Sequence, residues 1–113
     1  MNHGHDFEVR YRAAYGSEPD PYSGAAFACV QVVLSALESV VAQGPSAAQL
    51  REAVRGSAVR PGQRYSTVLG PTGFDENGDS IAQFVTIFRV DMGANGGAGD
   101  WIFLKQADYG PAP

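Results

Sequence analysis

Apolar and polar positions change rhythm twice along this chain. From Asp6 to about Gly16 the apolar side chains Phe7, Tyr11 and Ala14 or Tyr15 recur at helical spacing. Asp6 is suited to cap this first helix of about ten residues, and Gly16 to end it in the left-handed conformation. SEPDP follows, with two prolines, two acids and a serine, and reads as a stiff exposed connector. A second helix is predicted from about Ser23 to Gln43. Ala25, Ala26, Phe27, Cys29, Val30, Val32, Val33, Leu34, Ala36, Leu37, Val40 and Val41 cover most of its circumference. Only Gln31, Ser35 and Glu38 make a narrow polar stripe. A helix apolar on nearly every side belongs inside a larger body. Gly44-Pro45 stops it. Ser46 and Gln49 then have the spacing of a capping box, opening a short amphipathic helix with Ala47, Leu50, Ala53 and Val54 inward.

After Arg60-Pro61-Gly62 the period falls to that of strands. Tyr65 to Leu69 is a short one, Gly70, Pro71 and Gly73 mark a bend, and Asn77-Gly78 marks a turn. QFVTIFRVD, Gln83 to Asp91, sets Phe84, Thr86, Phe88 and Val90 on one face and Val85 and Ile87 on the other, so both faces are expected to be partly covered. Gly93 to Gly99 reads as a flexible glycine-rich hairpin loop, Trp101 to Gln106 as the partner strand, and ADYGPAP as a loosely held tail. Three helices followed by strands read as α+β, or as a piece of an α/β protein.

Composition changes this picture little. The 113 residues make one domain or part of one. Charged residues are 18%, low for a free-standing domain, so part of the surface is meant to be covered. The net charge of −4 is spread along the chain without a basic patch, which argues against nucleic-acid binding. The single Cys29 excludes an internal disulfide and a cysteine zinc site. No uninterrupted apolar run of about 18 residues is present, so no membrane span is expected. The N-terminus has no apolar signal-peptide region, so the chain is cytoplasmic if Met1 is the true start.

Candidate chemistry is sparse. His3 and His5, with Asp6, are too few ligands on a solvated tail for a stable zinc site. Asp75, Asn77 and Asp79 begin like a calcium loop, but Ser80 and Thr86 stand where it needs Gly and a bidentate Glu. GANGGAG lacks the Lys-Ser/Thr of a P-loop and leads into a strand. Cys29 falls within the apolar helix, where burial would quench its thiol. The carboxylates are dispersed over turns and caps, so no catalytic set forms and no enzyme, cofactor or metal is expected. Tyr22 follows Pro21 at the mouth of the second helix. It packs into the core or walls a cleft, and the residues alone favour the core. Ser23 reads as the helix N-cap, next to N–H groups that would favour a carboxylate if a cleft lies there.

Several stretches, taken in order, resemble one family. FEVRYRAAYGSEPDPYSGAAFACVQVVLSALE is similar to a helix ending in Y-G, a P-D-Y linker and a long Ala-rich helix. LREAVR resembles the next helix. VLGPTGFDENGD resembles a G-P-hydrophobic-x-F-D-x-x-G-D segment, and VTIFRVD and DWIFLKQ the terminal strands. Together, over roughly residues 6–106, they resemble the C-terminal segment of the type I periplasmic substrate-binding proteins of branched-chain amino-acid ABC importers. Many members have Y-D-A where this chain has Phe27-Ala28-Cys29.

The resemblance implies a partial α/β fold: one segment of a two-lobed domain that captures a small ligand without catalysis and delivers it to an ABC permease. It implies an extracytoplasmic location. It places Tyr22 beside the ligand, with Ser23 as a helix-start contact. It further implies that this chain, without the remainder of the lobes, exposes a large apolar patch and unpaired strand edges and associates with itself. Two alternatives stand beside it: a small-molecule sensor domain of the same fold, and an independent α+β domain that oligomerises and takes no small ligand.

Overall fold

A computed structural model describes residues 3–110. It divides into two compact units, Met1–Ser80 and Ile81–Pro113. The chain is mixed helix and strand: three helices, then two small antiparallel sheets.

In the first unit α1 spans His3–Tyr15, α2 Ser23–Val41 and α3 Ala47–Ala58. Asp6 does not cap α1, which begins three residues earlier and holds Asp6 in its first turn, where a carboxylate suits the positive end of the helix. The segment expected as a tail is therefore helical from His3. Gly16 closes α1 as expected, with φ +69° and its N–H donated to the Arg12 carbonyl at 2.9 Å. The connector folds back on α1 through a forked ion pair. Arg12 Nη2 donates to Glu18 Oε2 at 2.8 Å, and Nε lies 2.6 Å from Oε1. The hydrogen bond and charge of Glu18 raise the Arg12 pKa above its ordinary value.

Of the apolar circumference of α2, only one stripe is buried. It comprises Ala28, Val32, Ala36 and Val40, each four residues from the last and hence on one face. α3 packs on this stripe, and so does the strand β1, Tyr65–Thr67. Val32, Ala36, Ala58 and Tyr65 form the core cluster, with Val54 and Phe74 against it. Val30, Val33, Leu34 and Val41 remain exposed, so the enclosure expected for α2 is lacking within this unit. Cys29 is exposed too, against the expectation of burial. At 19 residues α2 is long and apolar enough to cross a membrane, which the sequence reading did not anticipate. Its packed stripe is what a core helix also has.

The opening of α3 follows expectation. The Ser46 backbone N–H donates to Gln49 Oε1 at 3.1 Å, half of the capping box, and the Ser46 hydroxyl donates to the same oxygen at 3.0 Å. Leu50, Ala53 and Val54 are half-buried, whereas Ala47 is exposed. Gly70-Pro71-Thr72, expected as a bend, is instead the strand β2, paired antiparallel with β1. Proline is tolerated there because β2 is an edge with no ladder to donate to on its far side. The bend lies at Val68-Leu69, and polar groups fix it. Thr67, 3% exposed, donates its hydroxyl to the Gly70 carbonyl at 3.0 Å and accepts the Leu69 N–H at 3.1 Å. Gln31, from the polar stripe of α2, accepts the Val68 N–H at 2.9 Å.

The second unit is one hairpin. β3, Phe84–Asp91, pairs antiparallel with β4, Asp100–Asp108. β4 thus runs two residues beyond expectation into the supposed tail. The Tyr109 N–H also bonds the Gln83 carbonyl at 2.9 Å. A bulge after Ile87 leaves Leu104 unpaired. Opposed pairs share a face, so Phe84, Phe88, Val90, Trp101 and Phe103 lie together. All five are exposed, and Val85 on the other face is exposed as well, so the expected two-sided cover is lacking within this unit. The glycine loop is tighter than a flexible linker. Asn95, Gly96, Gly97 and Gly99 take positive φ, and the Gly97 and Gly99 N–H groups both bond the Ala94 carbonyl.

Candidate functional site

The two residues expected at a ligand stand at the start of α2, and the structure treats them differently. Tyr22 occupies the cap position with helical φ/ψ (−95°, −5°), so Ser23 is the first helical residue and not the N-cap. No side chain caps this end. Instead the Ser23 N–H bonds the Asp20 carbonyl at 2.9 Å, and the Tyr22 N–H bonds Asp20 Oδ1 at 3.0 Å. Asp20 therefore does locally what Ser23 was expected to do. Tyr22 is 80% exposed. The core placement that its residue type favours does not occur, and its ring is free to wall a cleft.

Ser23 is half-buried and opens onto a groove of about 590 Å³ between α1 and α2. Phe7, Arg10, Tyr11, Ala14 and Tyr15 line it from α1, and Ala26, Phe27 and Val30 from α2. Spacing of four residues sets Phe7, Tyr11 and Tyr15 along one face of α1. The rings form a continuous row: Phe27 to Phe7 at 5.5 Å, Phe7 to Tyr11 at 5.9 Å, Tyr11 to Tyr15 at 4.7 Å, all tilted. At the helix start Gly24 lies beside Leu69 and the Phe7 ring, where an added Cβ would make only ordinary contacts, at 3.4 Å and 3.9 Å. The aromatic face of α1 was legible in the sequence. The flanking Arg10, three residues after Phe7, was not singled out although the same spacing rule reaches it, and Phe27, on another helix, meets the row only through packing.

The other motifs take structural roles. Asp75 Oδ1 accepts the N–H groups of Asn77 at 2.8 Å and Asp79 at 3.0 Å, and Gly78 takes φ +83°, so this carboxylate closes a turn. The His-x-His pair falls on helical backbone, and the His3 side chain lies outside the described residues. Among the described residues no three His, Cys, Asp or Glu side chains converge as a metal site. No family model matches this chain, and no curated protein matches it.

Proposed function

We propose that this chain is the C-terminal segment of a two-lobed, type I periplasmic-binding-protein-like module that captures branched-chain or related amino acids for an ABC permease, without catalysis. The observation that carries the reading is Tyr22: an aromatic ring held out of the core at the start of a helix, where the resemblance puts the ligand. The division of the chain supports it. The first unit ends at Ser80, directly after the Phe74–Asp79 turn, where the resemblance puts the last crossing between lobes. The bare Val33, Leu34 and Val41 of α2 and the bare hairpin faces are surfaces that the remaining lobe elements would cover.

The test is Tyr22→Ala in the gene product that carries this segment. Amino-acid affinity is expected to fall by about 5- to 150-fold, on the order of 1–3 kcal/mol, with the unfolding midpoint unchanged. Equal losses of affinity and stability, or a folded protein that binds neither amino acids nor amides, would refute the reading.

The same bare faces favour a second reading, in which copies of this α+β chain cover them by assembling with one another and take no small ligand. A homogeneous, ligand-free oligomer that binds no apolar dye would support it.

A further inference from the structure

The groove between α1 and α2 reaches Ser23 but is not lined by Tyr22, and the proposed function assigns it no ligand. Its size falls within the range of small-molecule sites, roughly 300–1,000 Å³. Four of its nine lining residues are aromatic, and two of its polar groups are unengaged. Arg12, two residues from Arg10, is committed to Glu18. Arg10 itself has no ion-pair or hydrogen-bond partner among the described residues, and neither does the Ser23 hydroxyl. A guanidinium beside aromatic walls suits one ligand chemistry: a flat apolar group against the rings and a carboxylate on the cation. A neutral apolar molecule would leave Arg10 unused. A polyanion would find one cation, Arg10, among the described lining residues and would be repelled by the negative net charge.

We infer that the Phe7–Tyr11–Tyr15–Phe27 groove is a binding site for a small aromatic monocarboxylate, with Arg10 on the carboxylate and Ser23 as an additional hydrogen-bond donor.

The probes are 1-naphthaleneacetate and its uncharged analogue 1-naphthaleneacetamide, titrated by calorimetry into the whole protein. The acid is expected to bind saturably and about tenfold or more tighter than the amide, the margin typical of one charge-assisted hydrogen-bonded contact. Arg10→Gln is expected to abolish that preference and leave the fold intact, because Arg10 is exposed. Phe27→Ala is expected to weaken acid and amide alike. Tyr22→Ala is expected to leave naphthaleneacetate binding unchanged while it lowers amino-acid affinity, which separates failure of this site from failure of the proposed function. Equal binding of acid and amide, no saturable binding, or full retention of the preference in Arg10→Gln would each overturn the inference.

Discussion

The two units of this chain hold together by different means. The first has an interior: Ala36 is 1% exposed, Val32 5% and Tyr65 7%, and each belongs to a different turn or strand around the α2 stripe. The second has none. None of its described residues is buried, and Trp101 is 69% exposed. What keeps it ordered is a backbone ladder, a glycine loop knotted on the Ala94 carbonyl, and one edge-to-face pair, Phe88 with Phe103, at 6.2 Å. A two-stranded hairpin is marginal alone in water. Apolar content and burial are therefore separate facts. Both units are rich in large apolar side chains, but only the first has enough layers within itself to bury some of them.

The largest expected effect breaks this comparison directly. Ala36→Asp puts a carboxylate where no partner exists, and should cost the first unit several kcal/mol, at least ~3. Helical circular dichroism should be lost at low urea. Trp101 is the only tryptophan and sits in the hairpin, so its emission should not follow that transition. If both signals move together, the contrast between the units is wrong.

A smaller effect sharpens it. The Tyr65 hydroxyl donates to the Ser57 carbonyl at 2.9 Å, tying β1 to the last turn of α3. Tyr65→Phe leaves that carbonyl only the long bond from the Arg60 N–H at 3.4 Å and should cost about 1 kcal/mol in urea unfolding. Burial raises the Tyr65 pKa in the folded state, so folding favours the neutral phenol. Its contribution is fully present below the unfolded value of about 10 and is lost as the pH rises through the folded value. The wild type should therefore lose stability above about pH 10 more steeply than Tyr65→Phe. Parallel profiles would show that this phenol does not titrate with folding.

The smallest effect belongs to the hairpin. Phe88→Ala removes the edge-to-face contact with Phe103 and should cost about 0.5–1.5 kcal/mol. The change should be visible in Trp101 emission and leave helical dichroism untouched. A loss as large as that of Ala36→Asp would mean that the hairpin face has a packed role this account does not give it.

Much of the fold was legible because local rules govern it. Helical spacing marked all three helices, Gly16 and Gly44 supplied the left-handed stops, and Ser46 with Gln49 marked the start of α3. The misses have physical causes. β2 contains Gly70 and Pro71, which read as a bend, yet a two-stranded edge asks nothing of the missing N–H. Ser23 was read as a cap because serine caps well, but Asp20 supplies the local hydrogen bonds from outside the helix. Periodicity identified the apolar faces of α2 and β3 and could not tell whether anything covers them. That depends on what packs against each face, which no local pattern records. The groove was half legible: α1 announced its aromatic row, while Phe27 joined it only through the packing of two helices.

The most direct test of the central claim is a native mass spectrum of the gene product that carries this segment, recorded with and without a pool of amino acids. A stoichiometric adduct whose mass matches a branched-chain or related amino acid is expected, and its loss in Tyr22→Ala. A homogeneous oligomer that stays free of ligand throughout would contradict it, and would assign the bare faces of α2 and the hairpin to self-assembly.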